Sequence, residues 1–205
     1  FYQPKFVLAD VESLQTLPQR ELTSGWAEGI KHGLILDENL LDAFERRTEG
    51  IRSLERETAT DIIRRSVAIK ADVVSQDEKE TLGTRVLLNY GHTIGHALES
   101  STEYGRFFHG EGVAVGMMGA ASMAQEMGLH SQDLVDRQRS LLERFNLPTT
   151  AKGVPVADIL NGMSLDKKSQ GGSNRWVMLE EVGRSVVRSD VPKDLVEKTV
   201  RELTA

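Results

Sequence analysis

Arg85-Val-Leu-Leu-Asn89-Tyr-Gly-His92-Thr-Ile-Gly-His96 is followed, thirteen residues on, by His109-Gly-Glu111, so three of the chain's five histidines lie between positions 92 and 109. His92 and His96 are four apart, which on a helix sets them one turn apart on the same face. That pair alone is a weak signal, because a histidine on a helix face is usually just hydrogen-bonded. His109 beside Gly110, where backbone can come close, strengthens the case for a metal. Adding one carboxylate would give a nitrogen-and-oxygen site with coordination positions left for substrate. Glu28 is the best carboxylate, since it sits mid-helix in a segment otherwise apolar and small. Spacing by itself would pair Glu28 with His32 as an i,i+4 chelate. The plainer alternative is an exposed carboxylate beside Lys31 or His32, worth only tenths of a kcal/mol.

Cations are scattered among apolar helical residues at Lys31, Lys70, Arg85, Lys167 and Lys168. Each alone reads as a solvated head on a snorkelling stem. Together they would make a pocket for phosphate and carboxylate, where Arg85 grips bidentately and the lysines act as point charges. Asn89, one turn after Arg85, either orients a substrate hydroxyl or caps a helix.

The remaining sequence bounds the setting. At 205 residues with a formal net charge of −6, the chain suits one domain with at most a small attachment and carries no nucleic-acid footprint. It has no cysteine, which removes disulfides, thiol catalysis and cysteine-zinc sites. No apolar run approaches the roughly 20 residues of a membrane span, and no signal peptide opens the chain, so a soluble cytoplasmic protein is expected. Phe6-Val-Leu-Ala-Asp10 reads as a buried strand, yet the next strand candidates, Arg175–Glu180 and Arg184–Arg188, lie about 165 residues away. The sheet such a strand would join is therefore expected to be missing.

Helices are expected from Ser24 to Leu36 after a Thr16 cap and Pro18, over Asn39–Arg47, and over Thr58–Ser75 with Ile62, Ile63, Val67 and Val74 as its stripe. Further helices are expected over Val86–Ser100 (one or two), Glu111–Met127, Gln132–Phe145, Pro155–Met163 and Pro192–Leu203. Gly112, Gly116 and Gly119 at helical spacing cost roughly 1 kcal/mol each against alanine, so close approach of a backbone or a ligand should compensate. The fold class is mainly α with minor β structure. No G-x-G-x-x-G follows the opening strand and no Walker A motif occurs.

Four segments carry a resemblance to a known family. They are Ser24-Gly-Trp-Ala-Glu28-Gly-Ile-Lys31, Lys70-Ala-Asp-Val-Val-Ser-Gln-Asp77-Glu78-Lys79-Glu80, the Arg85–Glu99 stretch, and His109-Gly-Glu111-Gly-Val-Ala-Val-Gly116. Together they resemble the 3-dehydroquinate synthase family of sugar-phosphate cyclases, in which a Rossmann-like N-terminal domain holds NAD and a helical C-terminal domain supplies metal and substrate contacts. The resemblance implies that residues 1–15 are a strand and linker belonging to an N-terminal domain absent from this chain, and that residues 16–205 are the helical C-terminal domain of that fold. It implies an NAD site mostly in the missing domain and a homodimer for the full-length protein. It implies Glu28, His92 and His109 as ligands of a zinc or cobalt ion. His96 is then no ligand but a substrate contact that assists proton transfer, with Lys31 as the other catalytic candidate. Lys31, Lys70, Arg85, Asn89, His96 and one of Lys167 or Lys168, preferably Lys168, would bind an anionic sugar-phosphate substrate. The implied reaction is conversion of 3-deoxy-D-arabino-heptulosonate 7-phosphate to 3-dehydroquinate and phosphate, a lyase step of the shikimate pathway, with this chain alone inactive. Rival readings are a cyclase acting on sedoheptulose 7-phosphate or glucose 6-phosphate, and a metal-dependent polyol dehydrogenase. Two departures stand out: Glu80-Thr-Leu-Gly-Thr-Arg85 differs from the family's order, which leaves Glu80 without a role, and Gly29 replaces an expected valine, which should loosen helix packing.

Overall fold

The computed structural model describes residues 5–78, 83–103, 105–169 and 175–205, the side chains of residues 166–169 excepted. A 3-10 helix at Val11–Thr16 leads into α1 (Gln19–Leu36), α2 (Glu38–Arg46), α3 (Thr48–Arg52) and α4 (Arg56–Gln76). A second 3-10 helix at Arg85–Asn89 precedes α5 (His92–Ser101), α6 (His109–Glu126), α7 (Gln132–Arg144) and α8 (Val156–Ser169). Strands β1 (Trp176–Glu181) and β2 (Arg184–Arg188) form an antiparallel hairpin, and α9 (Lys193–Thr204) closes the chain.

Helix α6 is the axis of the fold because it is apolar nearly all round, and such a helix has no face to give to water. Every residue from Gly110 to Ala121 is buried, and α1, α5, α7, α9 and β1 all pack against it. Around this axis the outer helices are amphipathic. They turn Leu40, Leu41 and Phe44 (α2), Val135, Leu141 and Leu142 (α7), and Val200 and Leu203 (α9) inward. The hairpin is tied to α1 by its turn, where Gly183 N–H donates to the Leu34 carbonyl at 2.8 Å.

Glycine sets how closely α5 approaches α6. A Cβ on Gly116 would stand 1.9 Å from the Gly91 carbonyl oxygen, and one on Gly95 would stand 3.1 Å from Gly112 backbone. The expected compensation for the α6 glycines is thus backbone-on-backbone packing at Gly112 and Gly116, while Gly119 makes room for Ile94 and Leu203 side chains.

Several expectations are corrected. Residues 6–10 form no strand, and Phe6, Val7 and Leu8 are exposed, because no neighbouring strand among the described residues offers a ladder. Thr16 does not cap α1; its hydroxyl donates back to the Ser13 carbonyl inside the 3-10 helix, and α1 begins after Pro18. Val67 faces solvent and Val73 is buried, so the stripe of α4 is rotated from the expected one. Gly29 tightens packing rather than loosening it, since a Cβ there would lie 2.7 Å from the Phe44 ring. Helix α8 runs six residues beyond the expected Met163. Glu80 lies outside the described residues.

Candidate metal and substrate site

The backbone before α5 decides where the first histidine points. Gly91 adopts a left-handed conformation (φ 80°), and a Cβ there would sit 2.7 Å from Met117 and Val113 atoms, so the chain turns against α6 at this point. Tyr90 is wholly buried, and its hydroxyl donates to Gln138 Oε1 at 2.8 Å, which pins the turn. The Tyr90 carbonyl then lies 3.2 Å from His92 Nδ1. A carbonyl only accepts, so Nδ1 carries the proton and Nε2 presents a lone pair.

The start of α6 places the second. Phe108 N–H donates to Glu111 Oε2 at 2.9 Å, and Arg20 grips both oxygens of the same carboxylate at 2.7 Å while lying over the Phe108 ring. Gly110 N–H donates to Ser24 Oγ at 2.9 Å, in a contact so close that a Cβ on Gly110 would lie 1.9 Å from the Ser24 carbonyl oxygen. These contacts fix α6 to α1 one turn from Glu28.

Glu28, His92 and His109 consequently converge. Glu28 Oε1 is 3.6 Å from His92 Nε2 and 3.7 Å from His109 Nε2, too long for hydrogen bonds, and it is buried without a hydrogen-bond partner among the described residues. Two ligand atoms bound tetrahedrally at zinc–nitrogen or zinc–oxygen lengths stand about 3.4 Å apart. The three-atom set therefore has the size of a metal site, and its orphaned oxygen has the chemistry of one. The other oxygen, Oε2, accepts from Lys31 Nζ at 2.7 Å, and Lys31 is buried.

Charges in the cluster are strongly biased. Burial works to raise the Glu28 carboxyl, but contact with His109 and the Lys31 and His92 charges outweigh it and hold it far below the usual carboxylate range. Burial, aided by the Lys31 charge, pushes His92 down to about 4, leaving a neutral imidazole at neutral pH. His109 is raised by Glu28 against its partial burial, with Glu99 adding to the effect. Burial lowers Lys31, and Glu28 opposes it.

The remaining candidates lie around this cluster at different depths. The exposed His96 ring stands 5.2 Å from His92 and 6.0 Å from His109, centroid to centroid, on the open side. His32 turns away, with Nδ1 2.7 Å from Ser66 Oγ on α4, so the Glu28–His32 chelate suggested by spacing is not formed. Arg85 is half-buried; its backbone N–H donates to Asp77 Oδ2 and its guanidinium to the Glu78 carbonyl. Asn89 is exposed at the end of the same 3-10 helix, and Lys70 is exposed on α4, with its charge felt by Lys31. The elements carrying Lys31, Lys70, Arg85 and Asn89 pack on one another. The side chains of Lys167 and Lys168 lie outside the described residues.

Residues 25–169 match the family model of the 3-dehydroquinate synthase C-terminal domain. The chain belongs to that family. It is 45% identical over 205 residues to the 3-dehydroquinate synthase of Nitrosospira multiformis, covering all of this chain and 56% of that protein. It is 42% identical over 201 residues to that of Acidithiobacillus ferrooxidans, covering 98% and 55%. The fold is also that of the solved 2-epi-5-epi-valiolone synthase from Streptomyces hygroscopicus with NAD+ and Zn2+ bound (TM-score 0.86, 23% identity, covering 95% of this chain and 54% of that one). The 2-deoxy-scyllo-inosose synthase complexed with carbaglucose-6-phosphate, NAD+ and Co2+ follows, with TM-score 0.81 and 28% identity, covering 98% and 57%. The chain thus spans little more than half the length of the family members it matches.

Some residues that shape the site had no role legible in the sequence. Tyr90 and Glu111 lie inside the quoted segments and Arg20 outside them, and all act through contacts 27 to 91 residues apart in sequence. Glu99 was visible only as the last residue of a motif; its Oε2 lies 3.3 Å from His109 Nδ1.

Proposed function

We propose that this chain is the metal- and substrate-binding half of a 3-dehydroquinate synthase, which converts 3-deoxy-D-arabino-heptulosonate 7-phosphate to 3-dehydroquinate and phosphate. The observation that carries the reading is Glu28 Oε1, buried and unpartnered between two imidazole Nε2 atoms at metal-site distances. Membership of the family and 42–45% identity to curated synthases support the choice of substrate over those of other cyclases.

Glu28, His92 and His109 would hold zinc or cobalt, which supplies Lewis acidity for vicinal hydroxyls and a forming carbonyl. Lys31, bonded to Glu28 Oε2, keeps that carboxylate charged and would contact substrate from beside it. His96, exposed beside the cluster, would take a proton from the substrate and return it to the phosphate leaving group. Lys70, Arg85 and Asn89, with Lys168 as a further candidate, would hold the anionic and hydroxyl groups. NAD, transiently reduced and then reoxidised, would be held mainly by sequence outside this chain, and the 205 residues alone are expected to be inactive.

The test is phosphate release by the full-length protein supplied with NAD and a divalent metal. The reading expects release from the heptulosonate with no net NADH. Release from sedoheptulose 7-phosphate or glucose 6-phosphate instead would identify another cyclase, and net NADH with no phosphate a dehydrogenase.

A further inference from the structure

Both imidazoles face Glu28 Oε1 through Nε2, and to bind an ion there each must present that nitrogen as a lone pair, which needs something behind the ring to keep it so. For His92 that is the Tyr90 carbonyl, and the ring is also wedged by burial, with 14% of its side chain exposed. His109 is different. Its side chain is 48% exposed at the first residue of α6, so packing alone does not set the ring. What lies behind it is the carboxylate of Glu99, on α5, which is 9% exposed.

We propose that Glu99 is a positioning residue for the metal centre, accepting from His109 Nδ1–H and thereby fixing Nε2 as the atom presented to the ion. A carboxylate can only accept at neutral pH, so it selects the tautomer as well as the ring angle. The α5–α6 contact explains how a carboxylate comes to stand there. Gly112 lets α5 come close to α6: a Cβ there would lie 3.1 Å from the Gly95 carbonyl oxygen, tighter than usual, while Glu99 Cγ, one turn on from Gly95, is in ordinary contact range at 3.5 Å. Metal-bound histidines are commonly backed by a carboxylate, and loss of such a partner typically weakens metal binding roughly 10- to 100-fold.

Two other roles for Glu99 are open to the same geometry. Glu99 could merely bridge α5 to α6, or it could ligate a second cation with His96 and His109, whose donor atoms fall within 4.8 Å of one another and of its own. The inference rests on the metal-centre reading above, and the experiment separates the two. Cobalt affinity is measured by chelator competition on the full-length protein, unaltered and as Glu99→Gln and Glu99→Ala, with ion stoichiometry, the visible spectrum of the bound cobalt and the metal-free melting temperature. The expected result is one ion per chain throughout, a 10- to 100-fold loss and an altered cobalt spectrum for Glu99→Ala, and a smaller loss for Glu99→Gln, whose amide oxygen still accepts from Nδ1–H. Unchanged affinity and spectrum with only a lowered melting temperature would overturn the inference in favour of a bridge. Two ions in the unaltered protein and one in the variants would overturn it in favour of a second cation site. No cobalt bound by the unaltered protein would remove the metal centre itself.

Discussion

Glu28 has two oxygens in two different situations, and that makes it the most informative residue to change. Glu28→Gln preserves size but removes the charge that faces both imidazoles and Lys31. Loss of a partner behind a ligand costs 10- to 100-fold, so loss of the ligand charge itself is expected to cost about 100-fold or more, read as metal content after dialysis against chelator. In the full-length protein His96→Asn should give the opposite pattern: metal content unchanged, with phosphate release lowered by roughly 100-fold or more, as for removal of a general acid–base group. Metal lost from the His96 variant would return the H-x-x-x-H pair to the role its spacing suggests. Spacing alone does not decide between these outcomes. Position on a helix face specifies which side chains are neighbours, not which nitrogen each presents, and the latter depends on Tyr90 and Glu99 behind the rings.

At the scale of elements, the register of α5 on α6 brings His92 and His109 together, and glycine sets that register. Gly116→Ala would drive a methyl into the Gly91 carbonyl, 1.9 Å away, and backbone cannot yield as a side-chain tip does. Overpacking of this kind costs about 1–3 kcal/mol, and because Gly91 precedes His92 directly, metal affinity should fall with the melting temperature. Gly25→Ala serves as a contrast. Nothing lies within 4 Å of the added methyl, and the better helix propensity should raise stability by about 0.5–1 kcal/mol in the same melts. The α6 glycines were legible in the sequence as an expense needing a reason, whereas their partners were not, since Gly91 precedes and Gly95 belongs to another helix. Periodicity found nearly every helix because amphipathic faces repeat locally. It misjudged residues 6–10 because a strand is a property of two segments, and it misplaced Val67 because α4 turns its Val73 side to the core.

For the molecule as a whole, acid stability should report the buried histidines. His32 is 4% exposed, and burial with the Lys31 charge pushes it down to about 4, against an ordinary value near 6.5. As pH falls through 6.5 the unfolded chain takes up a proton that folded His32 refuses until about pH 4, so stability is full above 6.5, declines between 6.5 and 4, and levels off below. The loss attributable to this residue is at most about 3 kcal/mol. His92 contributes in the same window in the metal-free protein. Urea unfolding of metal-free protein across this range should therefore show a shallower slope for His32→Gln, whatever the fixed cost of losing the Ser66 contact. An unchanged slope would mean that His32 takes its proton in the folded state as readily as in the unfolded one.

The donors at the candidate centre come from α1, α5 and α6, separated by 64 residues in the first interval and 17 in the second. An ion held there would be a further crosslink between three segments already joined by packing, close glycine contacts and a few polar contacts such as Arg20–Glu111 and Gly110–Ser24. Because unfolded chain cannot assemble such a donor set, every increment of binding is an increment of folding free energy. Free ion at 100 times its dissociation constant would add about 2.7 kcal/mol. The melting temperature of this family member should then be a property of the solution as much as of the sequence. It should rise with added zinc or cobalt and fall with chelator, and the shift should disappear in Glu28→Gln.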